Sequence, residues 1–208
     1  MQNFIQINGK RIELTPEQIQ EIVNAYNSEP VQKKLADIDI GKTFFIGETQ
    51  FVVLGQYDEE TAVITKNVLK KMAFGESNNF DGSAVDAYCK EFAGALAQQI
   101  GERNIVEHTV DLTSDDGLKD YGTVDRKVSL LTAEMYRGCV DVLDQHKPDC
   151  WWWLATPFST PRHEHTDWVK CVSPAGFIDN DFCNYIHGYR GVRPFCILNS
   201  SILVSLGA

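Results

Sequence analysis

Short runs in which hydrophobic and polar positions alternate recur along much of the chain. Three such runs, separated by turn-forming residues, fall near residues 43–46, 50–55 and 61–65. Alternation with a period of two places every second side chain on one face, which is typical of a half-buried β-strand. Because the runs are too short for helices, this segment is predicted to form a meander of strands.

Two later segments show the helical period instead. Residues 83–100 carry apolar side chains on one helical face, and Gly101 follows where that helix would end. Glycine is common just after a helix because it adopts the left-handed conformation needed there. Thr132 stands before Ala133 and Glu134, and a threonine in this position caps a helix. Helices are therefore predicted over 83–100 and over 133–143.

The first 36 residues have the pattern of a small separate unit. Asn8-Gly9 divides two short alternating runs, a strong signal for a two-residue hairpin turn. Thr15, Pro16 and Gln18 then form the signature of a helix start. A hairpin and a three-turn helix are too small to be stable alone, so this unit is expected to dock on the rest of the chain or on a partner. We assign residues 1–36 to it and residues 37–208 to the main domain.

The segment from Trp151 onwards is β-like and rich in loops, and it opens with the sequence WWWLATP. If residues 151–157 form a strand, Trp151 and Trp153 share one face, while Trp152 and Leu154 share the other. At least one face should then be covered by one of the two predicted helices.

Composition narrows the class of protein. The chain has 208 residues, of which 43% are hydrophobic, enough for one substantial core. It contains no apolar run of the length that a membrane span needs, and its start lacks the features of a signal peptide. Six cysteines occur without a CxxC pair, which favours free thiols in a reducing compartment. We expect a cytoplasmic protein with no membrane contact.

The net charge of −10 is concentrated in residues 81–150, where seven basic residues face fourteen acidic ones. Clustered lysine and arginine, which direct binding of nucleic acid requires, are missing. The acidic stretch either stays solvated or meets a basic protein partner, such as a nucleic-acid-binding enzyme. The candidate carboxylates are Asp111, Asp115, Asp116, Asp120 and Asp125. A calcium loop starting at Asp111 is discounted, because Gly122 stands where the bidentate glutamate belongs.

The ordered set of motifs IGKTFFIGETQFVVL, AVITKNVL, KVSLLTAEMY, WWWLATP and GVRPFCIL resembles a family of bacterial and phage domains of unknown function. The resemblance covers roughly residues 38–200 and implies a C-type-lectin-like fold, shared with formylglycine-generating enzymes and the variable proteins of diversity-generating retroelements. It implies that Trp151, Trp152 and Trp153 are buried scaffold. Arg193 stands in the matching GVRP motif, and we expect it to be structural, because an arginine in a closing strand is more often a partner for a carboxylate or carbonyls than a catalytic group. Ala155-Thr156 replaces the family's Arg-Ser pair, so no role of that arginine carries over.

Two clusters of side chains in the C-terminal part could bind a ligand. Arg162, His163, His165 and Trp168 follow the tryptophan strand, and Tyr185, His187 and Tyr189 offer aromatic faces on a later loop. Loops of this composition bind sugars, peptides or protein surfaces. In the lectin-like fold the two loops would lie near each other. His163 and His165, with Asp167 and Cys171, are also suitable ligand types for zinc, but no second ligand pair is evident and no metal is assigned.

The sequence contains none of the GxSxG, P-loop, GxGxxG or HExxH motifs. No catalytic residue and no cofactor are assigned. We expect an α+β protein with a C-type-lectin-like mixed core of short antiparallel strands and two or three helices, plus the N-terminal β-hairpin–helix unit. Its expected function is non-catalytic binding of a protein in a phage or mobile-element context, as an acidic inhibitor of a host defence system. A lectin-like receptor module for a small ligand or sugar, and a metal-dependent enzyme related to the formylglycine-generating fold, stay open. The oligomeric state is not predicted.

Overall fold

The structure, a computed structural model, describes residues 4–7, 9–27, 31–185 and 190–207. These residues form a mixed α+β fold with mostly antiparallel sheets and few helices, which confirms the sequence prediction at that level. The helices are α1 (Pro16–Asn27), α2 (Ala84–Ile100), α3 (Ala133–Gly138) and α4 (Val140–Leu143). The strands before α2 are β1 (Phe4–Ile7), β2 (Lys10–Glu13), β3 (Gln32–Lys34), β4 (Thr43–Ile46), β5 (Thr49–Tyr57), β6 (Glu60–Thr65) and β7 (Lys70–Lys71). Those after it are β8 (Ile105–Val106), β9 (His108–Asp111), β10 (Thr123–Arg126), β11 (Val128–Ser129), β12 (Trp151–Pro157), β13 (Trp168–Val172), β14 (Ile178–Phe182), β15 (Arg190–Val192), β16 (Phe195–Asn199) and β17 (Leu203–Ser205).

The helix ends follow from local side-chain caps. Ser83 accepts a hydrogen bond from the Asp86 backbone N–H at 3.1 Å and starts α2, and Gly101 ends it with a φ of 83°. Thr132 caps α3 by accepting from the Met135 N–H at 3.2 Å. Both predicted helices are therefore present, although the second is divided at Cys139 into α3 and α4.

The larger sheet has the order β11-β16-β6-β5-β4-β17-β3, with β8 paired to β16. Its centre is the predicted meander, in which β4 pairs with β5 and β5 with β6 in antiparallel register. The C-terminal strand β16 then adds to the free side of β6.

The smaller sheet has the order β14-β13-β12-β15-β7, so the tryptophan strand β12 lies at its centre. Its neighbours are β13, which is antiparallel, and β15, which is parallel. The loop that connects β12 to β13 therefore emerges from the centre of this sheet, where both neighbouring strands are paired.

Side chains alternate between two hydrophobic clusters along the strands of both sheets. Trp153 and Val63 pack with α2 in one cluster, whereas Trp152 and Ile64 pack with α3 and α4 in the other. Trp152 and Trp153 are 1% and 0% exposed, and Trp151 is half-buried against the α2 cluster. The predicted alternation along 151–154 is present, and helices cover both faces of the strand.

Arg193 is 1% exposed and lies over the Trp152 ring, with 5.1 Å between the guanidinium carbon and the ring centroid. Its Nε donates to the Thr65 carbonyl at 2.7 Å, and its NH2 group donates to the His146 carbonyl at 3.1 Å. Burial lowers the pKa of this guanidinium to about 10. The side chain thus joins the end of β6 to the segment that leads into β12.

The N-terminal segment contains the predicted hairpin, formed by β1 and β2 as a sheet of their own. Thr15 and Gln18 cap α1 reciprocally, with each side chain bonded to the other residue's backbone N–H. Residues Gln32–Lys34, which the sequence assigned to this unit, instead pair with β17. Leu35 is fully buried in the main core. The chain thus joins the larger sheet by residue 32, before the predicted boundary at residue 36.

In the described parts of the chain, no helix combines the length and the apolar character that crossing a membrane requires.

Candidate functional site

Two loops meet beyond the end of β12. The acidic loop (residues 112–122) connects β9 to β10, and its base is closed by a hydrogen bond from the Leu112 N–H to the Gly122 carbonyl. The histidine loop (residues 158–167) connects β12 to β13. The Asp115 N–H donates to the Pro157 carbonyl at 2.9 Å, which places the two loops side by side.

Asp116 is the centre of the contact between these loops. One carboxylate oxygen accepts from Ser114 Oγ at 2.5 Å, and the other accepts from Ser159 Oγ at 2.7 Å and lies 2.9 Å from His163 Nδ1. Desolvation opposes ionisation of this carboxyl, but the bonds from Ser114, Ser159 and His163 outweigh it and lower the pKa of Asp116 far below its ordinary value. Asp116 is thus an ionised anchor for the histidine loop.

The neighbouring carboxylates are paired in the same way. Asp115 lies 3.0 Å from the Lys170 ammonium and 3.3 Å from the Arg137 guanidinium. Asp120 accepts from Thr160 Oγ1 at 2.5 Å and forms an ion pair with Arg162. Three of the five predicted acidic residues therefore have cationic or histidine partners within the chain, and all three are nevertheless exposed to solvent.

Asn78 is fully buried and contacts both loops. Its Nδ2 lies 2.9 Å from the Ser159 carbonyl and 3.1 Å from the carbonyls of His165 and Trp168. Its Oδ1 accepts from the Tyr121 hydroxyl of the acidic loop at 2.7 Å. One amide side chain therefore holds both loops, and we call this set of contacts the loop junction.

The remaining two predicted acids lie on the β9–β10 hairpin, away from these contacts. Asp125 accepts from Thr109 Oγ1 at 2.7 Å across the strands. Asp111 accepts from the side chain and the N–H of Thr113, and these bonds lower its pKa. Both are exposed, and neither forms an ion pair with a cationic side chain of the described residues.

A row of aromatic rings runs beside the loop junction. Trp168 and Phe182 stand opposite each other on β13 and β14, with ring centroids 4.6 Å apart. Phe158 is 6.3 Å from Trp168, and His165 is 5.8 Å from Phe158. Phe182 is 43% exposed. We call these four residues the aromatic row, and it offers apolar surface next to a network of charged side chains.

The second predicted ligand loop adjoins the first at its base, because the Cys183 N–H donates to the Asp167 carbonyl at 2.7 Å. Tyr185 lies under the Arg190 guanidinium, 4.9 Å from its carbon, and Arg190 forms an ion pair with Asp181. His187 and Tyr189 lie outside the described residues. For the described part, the two loops are neighbours, as the sequence led us to expect.

The residues that the sequence offered as zinc ligands make other contacts in the structure. His163 contacts Asp116, His165 packs against Phe158, and burial raises the pKa of the Cys171 thiol to about 12. Within the residues that the structure describes, no three His, Cys, Asp or Glu side chains are grouped so that they could hold a metal ion.

Sequence reasoning missed several residues of this site. Asn78 lies in a polar turn with no motif of its own, and Phe182 lies in a strand that was not predicted. Lys170 had a signal, because it is a single cation between Val169 and Cys171 in an apolar run. It is only 7% exposed, and a buried lysine requires a partner.

No protein-family model, no curated protein and no solved structure matches the chain.

Proposed function

We propose that the chain is a non-catalytic protein-binding module, whose contact surface is the loop junction together with the aromatic row. The observation that carries this proposal is the contrast between the two parts. Asp115, Asp116 and Asp120 are held by internal bonds, whereas Phe182, which packs against Trp168, is 43% exposed and makes an apolar surface available.

The hydrogen bonds and ion pairs within the loop junction hold this surface rigid before a partner binds. A loop that is already held by hydrogen bonds and ion pairs loses little conformational freedom on binding, which favours affinity. Large aromatic side chains supply most of the binding free energy at protein interfaces. Trp168 and Phe182, side by side on paired strands, suit the role of an anchor for an apolar side chain of the partner.

An acidic inhibitor of a host defence enzyme is the second candidate, and the observation that favours it is the charge of the chain. The net charge is −10, and Asp111 and Asp125 are exposed on one hairpin. A basic partner would be attracted to this side of the molecule. The cytoplasmic location, the phage or mobile-element context and the C-type-lectin-like classification of the core are expectations from the sequence that accompany this proposal.

The test compares what the purified, tagged chain retains from extracts of its source cells. We expect a protein retained by the unaltered chain to be lost by Trp168→Ala combined with Phe182→Ala. Phe177→Ala is the matched control, because Phe177 is 54% exposed but lies outside the aromatic row, against Trp151.

The acidic candidate predicts a different pattern. Asp111→Lys combined with Asp125→Lys would then abolish retention, and retention would fall steeply with salt. A retained protein that survives both double substitutions would refute both candidates. If the aromatic variant instead loses binding of a soluble sugar but no protein, the lectin-like receptor replaces the protein-binding module.

A further inference from the structure

A groove on the edge of the smaller sheet lies outside the loop junction. Its walls are residues 67–71, which include β7, and residues 147–150, which lead into β12. The cavity is open to solvent on one side and has a volume of about 460 Å³, within the range of roughly 300–1,000 Å³ that small-molecule sites occupy. We call it the lysine groove.

The charge of the lysine groove is opposite to that of the chain. Lys70, Lys71 and Lys147 line it together with a single carboxylate, Asp149, whereas the whole chain carries −10. Lysines from both walls therefore outnumber the one carboxylate of the lining, and an excess of one sign of charge in a cavity concentrates ligands of the opposite sign.

The three ammonium groups differ in their surroundings. Lys70 lies over the Tyr88 ring, 5.2 Å from its centroid. Lys147 lies 3.2 Å from Asp144 and donates to the Ala175 carbonyl at 3.1 Å. Lys71 is exposed, and its charge opposes the rise that burial causes in the pKa of Cys150 on the other wall. The Lys71 side chain forms no ion pair or ring contact with another described residue, so we take it as the leading cation of the groove.

A buried cation lies where the two walls begin. Arg193 is 1% exposed, and its guanidinium donates to the carbonyls of Thr65 and His146. In the described part of the chain its hydrogen bonds go to carbonyl oxygens, and it enters no ion pair with a carboxylate. A buried cation that has carbonyl partners but no carboxylate partner keeps its net charge and is weakly screened, so Arg193 adds to the positive potential near the groove.

The walls of the groove are held in place by close packing. The side chain of Val68 lies directly against the Gly191 backbone, in the space that a Cβ at position 191 would need. The Leu69 N–H donates to the Val192 carbonyl at 3.0 Å. The groove is therefore formed before any ligand binds.

We infer that the lysine groove binds a phosphate-bearing small molecule. Phosphate groups combine high negative charge with several acceptor oxygens, which suits a cavity lined by ammonium donors. The limited volume favours a small molecule, and the acidic remainder of the surface repels an extended polyanion such as nucleic acid.

The test is isothermal titration calorimetry of the full chain with inorganic phosphate, pyrophosphate and a nucleoside diphosphate. We expect saturable binding of at least one of them. Lys71→Ala should weaken it about tenfold, the effect of losing one charge-assisted hydrogen bond. Lys33→Ala is the control, because Lys33 is also exposed but lies on β3 of the larger sheet, and it should change affinity less than about twofold.

Circular dichroism of both variants checks that the fold is kept. Equal affinities for pyrophosphate and the nucleoside diphosphate would assign recognition to the phosphates alone, and tighter binding of the nucleotide would add its base and ribose to the site. The inference is overturned if none of the three compounds saturates the chain at millimolar concentration. It is also overturned if Lys33→Ala weakens binding as much as Lys71→Ala does, since bulk charge would then explain the effect.

Discussion

Replacing Asn78 with alanine should destabilise the chain by about 3 kcal/mol, because the side chain makes at least three hydrogen bonds, each worth about 1 kcal/mol. Its two N–H groups serve the carbonyls of Ser159, His165 and Trp168, and its carbonyl oxygen accepts from Tyr121. The site is fully buried, so water cannot replace these bonds without entering the core. A loss of this size is large against a typical stability of about 5–15 kcal/mol.

Equilibrium unfolding in urea measures this loss, and Tyr121→Phe is the matched partner variant. Tyr121→Phe removes one of the bonds and should cost about 1 kcal/mol. The double variant should cost less than the sum of the two single variants, because both lack the same Asn78–Tyr121 bond. Amide hydrogen exchange should accelerate in residues 158–167 of the Asn78 variant.

Two results would refute this reasoning about the loop junction. One is a loss below about 1 kcal/mol for Asn78→Ala. The other is strict additivity of the two substitutions, which would mean that Asn78 and Tyr121 act independently. Either would show that the two loops are held by something other than the buried amide.

Further predictions concern the strand packing, an ionised carboxylate and the free thiols. Gly191→Ala should destabilise the chain by about 2 kcal/mol through overlap with Val68, and Val68→Ala in the same chain should relieve much of that loss in a thermal melt. The folded-state pKa of Asp116 is lowered, so its contribution to stability should be complete above about pH 5 and should decline as the pH falls. Urea midpoints measured against pH should show this decline, and Asp116→Asn should flatten it. Cys139 and Cys150 are only partly buried, whereas the other four thiols are buried, so two thiols should react with a thiol reagent in the folded chain and four only after unfolding.

Each of these expectations has a contrary outcome. An unchanged melting temperature for Gly191→Ala would mean that Val68 moves aside at no cost. If stability still declines at low pH in Asp116→Asn, another carboxylate causes the decline. Asp86, whose pKa is also lowered, is then the first candidate. Rapid reaction of more than two thiols would show that the core opens readily under native conditions.

The helices and central strands could be predicted because their causes are local. A cap joins residues three apart, as in Ser83 with Asp86 and Thr132 with Met135, so the signal is contained in a short stretch of sequence. The alternation of Trp152 and Trp153 between two faces also follows from the period of the strand alone.

The site depends on contacts between residues far apart in sequence. Asn78 bonds to Trp168 across 90 positions, Asp115 pairs with Lys170 across 55, and Asp116 bonds to Ser159 across 43. No local pattern indicates which cation or hydroxyl a given carboxylate will meet. For that reason the sequence did not show that three acids of the exposed loop are bonded to the histidine loop, β13 and α3.

The sequence by itself determined where the main helices and the β4–β6 meander form, which faces of β12 are apolar, and how the chain's charge is distributed. Only the tertiary structure decided which charges remain available to a partner, because pairing depends on which loops the sheets bring together. It paired Asp115, Asp116 and Asp120 with cationic or histidine side chains of the same chain, and it collected lysines from two distant segments into one groove.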